Sequence, residues 1–290
     1  MHQRDRTPSD QPPFADHPAI RHATEVTRFS NLEHRDEVLS TQDLARDRHR
    51  QPGEAVVVIA DRQTAGRGRR GRVWIDDRRT ESGSPTNVAI SIALDAPAAP
   101  GLIPLMTGLA IVDAVRGLGI DDTRLKWPND VVVGGSKVAG ILVEFHPGPA
   151  TGVRSPTPSD HGMAAVGTAT GTVVIGCGIN VDWRGIDRGG TLLTSLAEHH
   201  GADIDRGEIV ASYLLALERR ITMLADDPLA VLDAYRAVSA TLGQRVRVQL
   251  PAGGTLAGLA TGIDGRGSLV VDTEAGGQVA VTAGDVIHVR

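Results

Sequence analysis

Two lysines stand out in this chain because nearly every other positive charge is an arginine. The chain has 30 basic residues, and only Lys126 and Lys137 are lysines. A chain that uses arginine wherever a fixed charge suffices keeps lysine where a compact ammonium is needed and a planar guanidinium does not fit. The two lysines lie in neighbouring segments, KWPND and KVAG. Both are therefore candidates for contact with an anionic ligand.

A glycine-rich segment, GRGRRGRVW, carries the densest positive charge. It contains Arg67, Arg69, Arg70 and Arg72 and no acidic side chain. Glycines let the backbone approach a ligand closely, and guanidinium groups bind the oxygens of phosphates and carboxylates. We expect a flexible loop that closes over phosphates. Its glycines also match the dinucleotide-binding pattern, but no helical pattern follows them, as that motif requires.

Aromatic and acidic side chains lie in the same motifs. Trp74 and Trp127 are two of the three tryptophans, in a chain whose aromatic content is only 3%. Their positions indicate that adenine or another flat ring binds nearby. Asp130 adds a carboxylate suited to holding Mg²⁺ beside phosphates. The alternative is that Trp127 belongs to the core and that Asn129 and Asp130 form a turn before a strand.

Composition excludes several classes of protein. The chain has 290 residues, 41% of them hydrophobic, and a net charge of -5, which argues against a bulk nucleic-acid or membrane-surface binder. A single cysteine, Cys177, cannot form an internal disulfide, and the histidines lack zinc-binding spacing. Between two glycines, Cys177 is better explained as a small buried residue than as a nucleophile. No apolar stretch approaches the roughly 18 residues of a membrane span, so we predict a cytoplasmic protein.

The interleaved strand and helix patterns predict an α/β or α+β core that positions the motifs. AVVVIA precedes the arginine-rich segment, and NVAISIAL and TVVIGCGINV follow it, each with the character of a buried strand. Apolar residues at helical spacing predict helices over 105–118 and 207–224. Residues 1–24 have no periodicity and predict a disordered tail. Residues 146–171 are rich in Pro, Gly, Ser and Thr and predict a flexible surface insertion.

The chain changes character near its C-terminus. From residue 241 to 290, short alternating strands are separated by glycine-containing turns, which is typical of a small β-barrel. We therefore divide the chain into a tail, a catalytic domain over 25–240 and a C-terminal barrel domain over 241–290. Removal of residues 242–290 is expected to spare the catalytic core.

Five motifs between residues 40 and 181 resemble those of biotin protein ligases, and their order is specific to that family. They are Ser40-Thr41-Gln42, Gln63-Thr64-Ala65-Gly66-Arg67-Gly68-Arg69-Arg70-Gly71-Arg72-Val73-Trp74, Lys126-Trp127-Pro128-Asn129-Asp130, Lys137-Val138-Ala139-Gly140-Ile141-Leu142-Val143-Glu144 and Gly176-Cys177-Gly178-Ile179-Asn180-Val181. The resemblance implies a mixed-sheet α+β catalytic domain like that of biotin and lipoate ligases, followed by an SH3-like β-barrel. It implies a ligase without a DNA-binding domain that makes biotinyl-5′-AMP from biotin and MgATP. The biotinyl group would then pass to a lysine of a biotin carboxyl-carrier domain of acyl-CoA carboxylases.

The resemblance also assigns roles to individual residues. The biotin-binding residues would be Ser40, Thr41, Gln42, Gln63, Arg67, Gly68, Arg69 and Lys137. The ATP-binding residues would be Trp74, Lys126, Asn129, Asp130 and Asn180, with Asp130 also a ligand of Mg²⁺. Catalysis would rest on Lys137, Arg67 and Arg69, which would surround the biotin carboxylate and the α-phosphate. Trp74 would stack on adenine, and Gln42 occupies a position where the family usually has asparagine.

The implied chemistry agrees with the charges. A carboxylate that attacks an α-phosphate brings two anions together, so the protein must supply positive charge as negative charge builds up. The guanidinium groups of arginine and the ammonium of lysine supply this positive charge. No serine or cysteine nucleophile is needed, because the mixed anhydride is itself the activated acyl group.

Three other functions compete with this interpretation. Lipoate or octanoate transfer on the same scaffold shares the KxAG lysine but lacks the GRGRxGRxW loop with KWPND. A biotin-sensing repressor needs an N-terminal winged helix of about 60 residues, which residues 1–24 cannot build. A binder of single-stranded nucleic acid would need more aromatic residues than this chain has. The sequence predicts no nucleic-acid or membrane partner, and leaves open the oligomeric state and the choice of carboxylase.

Overall fold

The computed structural model describes residues 14–74, 83–97, 99–148, 171–186, 190–251 and 253–289. Seven strands form a mixed sheet: β1 (Asn31–Arg35), β2 (Val56–Ala60), β3 (Asn87–Asp95), β4 (Thr123–Lys126), β5 (Asp130–Val133), β6 (Ser136–Pro147) and β7 (Gly171–Asn180). Their spatial order is β1-β2-β3-β7-β6-β5-β4. β1 pairs with β2 in parallel, and the other neighbours are antiparallel. Strands β6 and β7 thus lie side by side near the middle of the sheet.

Helices cover the two faces of this sheet unequally. They are α1 (Pro18–Val26), α2 (Thr41–Arg48), α3 (Ile103–Arg116), α4 (Leu196–His200), α5 (Arg206–Asp226) and α6 (Pro228–Val238). Helix α3 packs on α5 and α6 over the main core, whereas α2 packs on β2, β3 and β7. Because strand side chains alternate between faces, Val57 and Ile59 join the main core while Val56 and Val58 pack with Ala45 of α2. Beside α2 the sheet is covered mainly by loops, which leaves room for a site.

The C-terminal residues form a second, five-stranded antiparallel sheet. Its strands are β8 (Arg245–Gln249), β9 (Thr255–Ile263), β10 (Leu269–Thr273), β11 (Gln278–Val281) and β12 (Asp285–His288), in the order β11-β10-β9-β8-β12. Buried Val246 and Val248 alternate with exposed Arg245 and Arg247, as expected for a sheet with one face packed on a core. The predicted strands of this region are confirmed.

The two sheets share one hydrophobic core. Val248 and Leu269 of the second sheet belong to the same buried cluster as Leu105 of α3. Trp127, between β4 and β5, donates from Nε1 to the carbonyl of Gly267 across 3.1 Å. Removal of the second sheet would therefore expose core residues of the first, contrary to the expectation that the catalytic core would be spared.

The N-terminal region differs from the predicted disordered tail. Helix α1 begins at Pro18, inside the range 1–24, and buries Ile20 and Ala23. It packs on α5, far along the chain, although Pro18 at its start and the helical spacing of Ile20 and Ala23 are local signals of a helix. Residues 1–13 lie outside the described residues.

The predicted insertion at 146–171 is shorter at both ends than expected. Pairing of β6 with β7 continues to Pro147 and Gly171, so the ends of the segment are strand residues. Residues 149–170 lie outside the described part of the chain. Among the described helices, none is long and apolar enough to cross a membrane.

Candidate functional site

A cavity of about 130 Å³ lies along β6 and β7, beside the start of α2. One wall is the segment from Gly66 to Trp74, hereafter the arginine loop, and the opposite end is formed by residues at the start of β5 and β6. The structure brings most of the predicted site residues to this cavity: Gln42, Gln63, Arg67, Gly68, Arg69, Trp74, Asn129, Asp130 and Lys137 all line it.

Three glycines on adjacent strands make space for side chains of the site. A Cβ atom at Gly140 would lie 2.9 Å from Lys137 Nζ, and one at Gly176 would lie 2.7 Å from Gln42 Oε1. At Gly178 the distance to Trp74 Cζ2 would be 2.1 Å. Such contacts are too short for real Cβ atoms. The glycines of the motifs KVAG and GCGINV therefore allow Lys137, Gln42 and Trp74 to lie flat on the sheet.

One end of the cavity carries two cations beside two oxygen-bearing side chains. Lys137 Nζ lies 2.6 Å from Asp130 Oδ1. Arg69 Nη1 donates to Asn129 Oδ1 across 3.0 Å. Burial lowers the pKa of the Arg69 guanidinium. Since burial weakens the hydration of a cation, an anion that enters here interacts with it more strongly than in water. We call this the cationic end.

The other end is built from the N-terminus of α2 and the residue that follows the next strand. The Thr41 backbone N–H and Oγ1 both donate to Gln63 Oε1, at 2.9 and 3.0 Å. Ser40 precedes α2 and is buried, and Gln42 follows on the first turn of the helix. The sequence motif Ser40-Thr41-Gln42 thus forms one compact polar group, which we call the amide end.

Three predicted site residues carry buried polar atoms without a partner among the described residues. These atoms are Ser40 Oγ, Gln42 Oε1 and Asn180 Oδ1. Asn180 Nδ2 donates to the carbonyl of Thr194 across 2.9 Å, so the carbonyl oxygen of the same amide remains available. A buried polar atom without a partner destabilises a fold by about 1–3 kcal/mol, and such atoms concentrate at sites that bind ligands. Gln42 lines the cavity, and Asn180 is the last residue of β7, two residues beyond the lining residue Gly178.

The spacing of these ends fits a small elongated ligand. Gly176 supports Gln42, and Asn180 lies four residues further along the same strand. At a rise of about 3.3 Å per residue, the two positions are roughly 13 Å apart. A ligand of that length with hydrogen-bonding groups at one end and, at the other, an anion for the ammonium of Lys137 beside a donor for Asn180 Oδ1 would satisfy both ends.

Arg67 does not lie where the sequence interpretation placed it. Its Nη2 is 3.1 Å from Asp43 Oδ1 and 3.0 Å from Glu144 Oε2, at the amide end of the cavity. The predicted position beside a carboxylate and an α-phosphate is at the cationic end. Two carboxylates that the sequence interpretation did not consider hold the guanidinium away from it.

Arg70 and Arg72 are bound by the second sheet. Both guanidinium groups pair with Asp285, at 3.1 and 2.5 Å. Like charges on four neighbouring arginines repel one another, and carboxylates from three separate elements offset that repulsion. No local sequence signal marked Asp285, because its partners lie more than 200 residues away.

Lys126 and Trp127 do not line this cavity, but Trp127 borders an adjoining cleft of about 320 Å³ that shares Arg69 and Asn129 with it. Lys126 borders a smaller cleft with Tyr235, and burial together with the Lys126 charge lowers the pKa of His288. Trp127 is 2% exposed and belongs to the core, so the interpretation of Trp127 as part of an aromatic binding surface is wrong. Trp74, in contrast, lines the cavity and lies over Gly178.

Cys177 is buried, as predicted. Its Sγ is 3.1 Å from Tyr213 Oη of α5, which lies on the opposite side of the sheet from the neighbouring glycines. Burial raises the pKa of the Cys177 thiol to about 12. A thiol that stays protonated at neutral pH is a poor nucleophile, so the chemistry of the cavity must come from other groups.

The cationic end also has groups that fit Mg²⁺. Mg²⁺ is held in proteins by one or two carboxylates together with phosphate oxygens of the substrate. Asp130 supplies a carboxylate and Asn129 an amide oxygen in the same turn, both lining the cavity. These oxygens fit a Mg²⁺ ion that arrives with a nucleotide.

Comparison with known proteins agrees with this geometry. The model of the biotin/lipoate A/B protein ligase family matches residues 36–152, and that of the biotin protein ligase C terminal domain matches residues 241–289. The biotin--[acetyl-CoA-carboxylase] ligase of Mycobacterium tuberculosis is 37% identical over 241 residues, which cover 82% of this chain and 80% of that protein. The bifunctional ligase/repressor BirA of Bacillus subtilis is 32% identical over 257 residues, covering 85% of this chain and 70% of BirA.

Solved structures show the same fold. The structure of biotin protein ligase from Aquifex aeolicus in complex with biotin and ATP superposes with a TM-score of 0.68 at 26% identity, covering 90% of this chain and all of the other. The mixed sheet, the second sheet and the cavity between β6, β7 and the arginine loop therefore define a protein of the biotin/lipoate ligase class. Within that class, the chain belongs to the biotin protein ligase family.

Proposed function

We propose that this protein joins biotin to ATP to form biotinyl-5′-AMP and then transfers the biotinyl group to a lysine of a carrier domain. The observation that carries the proposal is the polarity of the cavity. Gln42, whose buried Oε1 has no partner among the described residues, lines one end with the buried Ser40 next to it in sequence, and the ammonium of Lys137 lies at the other. Biotin has a matching polarity, with N–H donors and a carbonyl on its ureido ring and a carboxylate at the end of its chain.

The ureido ring would lie at the amide end, against the start of α2. Ser40, Thr41 and Gln63 present hydroxyl and amide groups there, and the glycine floor leaves space for the fused rings. The valeryl chain would run along the cavity beside the indole of Trp74, which lies directly on Gly178. Its carboxylate would then reach Lys137.

Adenylate formation follows from this placement. A carboxylate oxygen of biotin forms a bond to the α-phosphorus of ATP, and the bond from that phosphorus to the β-phosphate oxygen breaks, releasing pyrophosphate. Negative charge accumulates on the α-phosphate oxygens in the transition state, so fixed cations accelerate the step. Lys137 and Arg69 are the cations at this end, with Arg69 oriented by Asn129. We assign Trp74 and Asn180 to the nucleotide, because both border the same end of β7.

Mg²⁺ would be held by Asp130 with the nucleotide phosphates, and when bound it supplies charge neutralisation for the leaving pyrophosphate. Asp130 would then exchange part of its contact with Lys137 for the ion, which frees the ammonium for the carboxylate and the α-phosphate.

Transfer needs no protein nucleophile. The amine of a carrier lysine attacks the acyl carbon of the mixed anhydride, forms an amide and releases AMP. The buried Cys177 is excluded from this step by its protonation. The names of the relatives from Mycobacterium tuberculosis and Paracoccus denitrificans support a carrier domain of an acyl-CoA carboxylase as the acceptor, which would place the reaction in the cytoplasm.

A direct assay tests the proposal. The purified protein is incubated with MgATP, a biotin carboxyl-carrier domain, and either biotin, lipoate or octanoate, and the carrier is examined by mass spectrometry. We expect the mass increase of a biotinyl group and ATP–pyrophosphate exchange that depends on biotin. Exchange with lipoate or octanoate, and none with biotin, would instead establish the alternative function on the same scaffold.

A further inference from the structure

The turn between β4 and β5 touches both cations of the cationic end. Arg69 Nη1 donates to Asn129 Oδ1 across 3.0 Å, and Lys137 Nζ lies 2.6 Å from Asp130 Oδ1. Asn129 Nδ2 also donates to the carbonyl of Ile141 in β6 across 2.9 Å. The position of this turn therefore sets where the two positive charges lie.

The other side of the same turn is bonded to residues in and just before the second sheet. The carbonyl of Leu125, in β4, accepts from the backbone N–H of Ala240 across 2.7 Å. The backbone N–H of Trp127 donates to Thr241 Oγ1 across 3.0 Å, and its indole Nε1 donates to the carbonyl of Gly267 across 3.1 Å. The turn is thus held between the cationic end and the C-terminal part of the chain.

Thr241 contributes a side chain to this contact, whereas the other two partners are backbone groups. It is fully buried, and His288 Nε2 of β12 lies 3.3 Å from its hydroxyl oxygen. A hydroxyl that accepts from a backbone N–H still has its own proton to donate. Among the described residues, His288 Nε2 is the acceptor within reach of that proton. The contact therefore requires an imidazole whose Nε2 is unprotonated.

The surroundings of His288 favour that neutral form. Burial and the nearby positive charge of Lys126 lower the pKa of His288. Both effects disfavour the imidazolium, so the ring is neutral at neutral pH and Nε2 can accept. A chain of hydrogen bonds consequently runs from His288 through the hydroxyl of Thr241 to the backbone of Trp127, next to the residues that contact the two cations.

We propose that Thr241 and His288 are positioning residues for adenylate formation. Thr241 fixes the backbone of the turn through Trp127, and His288 orients the hydroxyl of Thr241. The fixed turn keeps Arg69 and Lys137 where negative charge develops on the α-phosphate. Neither Thr241 nor His288 lines the cavity, so both act through the turn. The inference rests on the proposed function, and it gives the second sheet a part in catalysis in addition to its part in the core.

The two substrates should respond differently to a loss of this contact. The amide end is built from the start of α2 and from Gln63, which belong to other elements than the turn. A displaced turn would instead move Arg69 and Lys137 relative to the α-phosphate, and a misplacement of about 1 Å can lower a rate by about 10²-fold. The kcat should therefore fall and the KM for MgATP should rise, while the Kd of biotin changes little.

The experiment measures biotin-dependent ATP–pyrophosphate exchange at varied MgATP, and the Kd of biotin by calorimetry without nucleotide. Thr241→Val removes the hydroxyl and keeps the branched shape, Thr241→Ser keeps the hydroxyl, and His288→Leu removes the acceptor. The double variant Thr241→Val/His288→Leu tests whether both residues act through one chain of hydrogen bonds. Thr107→Val is the matched control, because Thr107 of α3 is also fully buried and its Oγ1 has no partner among the described residues. A thermal melt of each variant checks folding.

We expect Thr241→Val to lower kcat/KM for MgATP by roughly 10- to 100-fold and to leave the Kd of biotin nearly unchanged. Thr241→Ser should recover most of the loss, because it restores the hydroxyl. His288→Leu should lower kcat/KM by roughly 2- to 10-fold, the effect of one neutral hydrogen bond. The double variant should be no worse than Thr241→Val, because His288 acts only through the hydroxyl. Thr107→Val should match the wild type.

Three results would overturn the inference. The first is a folded Thr241→Val enzyme with unchanged kcat and KM for MgATP, which would limit Thr241 to a structural role. The second is a double variant in which the two losses add, and the third is an equal loss in Thr107→Val.

If Thr241→Val does not fold, His288→Leu decides the question, because it leaves the bond between Trp127 and Thr241 in place. A lower kcat/KM for MgATP at an unchanged Kd of biotin would then support the inference, and an unchanged kcat/KM would refute it. A wild type that shows no biotin-dependent exchange would refute the proposed function itself, which is a different outcome.

Discussion

Replacing Lys137 by arginine is the sharpest test of the cationic end. Lys137 Nζ lies 2.6 Å from Asp130 Oδ1 and close above Gly140, where a Cβ atom would be only 2.9 Å from it. The guanidinium of an arginine is wider, and its charge is spread over three nitrogens. Because Gly140 is backbone and cannot yield, we expect the charge centre to move outward by about 2 Å.

The structure gives the size of the effect. At an effective dielectric constant of about 20, a unit charge moved from about 2.6 to about 4.6 Å from an anion loses roughly 3 kcal/mol of attraction. That energy corresponds to about a 10²-fold loss of rate if it acts on the charge that develops in the transition state. Ground-state binding of biotin should fall less, since the transition state carries more negative charge.

The assay is biotin-dependent ATP–pyrophosphate exchange, with a thermal melt to confirm folding. Lys126→Arg is the matched variant, because Lys126 is the other lysine of the chain and lies outside the main cavity. We expect it to retain much more activity than Lys137→Arg. A folded Lys137→Arg enzyme with unchanged exchange would refute the argument that a compact ammonium is required.

Four further results follow from the structure. Gly178→Ala should raise the KM for biotin or ATP, because the added methyl group would collide with Trp74; unchanged kinetics and unchanged tryptophan fluorescence would contradict this. Asp285→Asn should speed tryptic cleavage within the arginine loop while lowering the free energy of unfolding by less than about 1 kcal/mol, since both ion pairs are partly exposed. Burial raises the pKa of Cys177 to about 12, so the unfolded thiol loses its proton first as the pH rises above 9, and the Tm of the wild type should fall more steeply there than that of Cys177→Ala. Removal of residues 242–290 should give an unstable or aggregated protein, because the second sheet completes the core; a soluble fragment with full adenylation activity would show that the sheets fold independently.

Much of the fold was predictable from local patterns. The buried strands β2, β3 and β7 and the helices α3 and α5 have apolar residues at the spacing of their secondary structure, and each was predicted. Helix α1 was missed because it lies in a polar N-terminal segment and its partner is α5, far along the chain. Pro18 at the helix start and the three-residue spacing of Ile20 and Ala23 were the local signals that could have indicated it.

The candidate site was predictable where a motif places all its residues together. Gln63, Arg69, Asp130 and Lys137 were predicted as a set and line one cavity. The acidic partners of the arginines were missed, since Asp285 contacts the loop only through the three-dimensional fold. The scarcity of aromatic residues suggested a flat ring near Trp74 and Trp127, but the indole of Trp127 packs inward and donates to the carbonyl of Gly267, which is the core position given as the alternative.

The contact between Asp285 and the arginine loop has a consequence for the order in which the protein matures during synthesis. Residues 40–180 hold the cavity's glycines, lysine and amides, and a nascent chain has all of them long before Asp285 emerges from the ribosome. Arg70 and Arg72 gain their shared carboxylate only when β12 pairs with β8. Translation must therefore proceed past the last strand before the second half of the loop, at Arg70 and Arg72, is held in place. A ribosome-bound chain stalled before that point has the ligand-binding groups and the contacts of Arg67 with Asp43 and Glu144, but lacks the anchor of the loop to the second sheet.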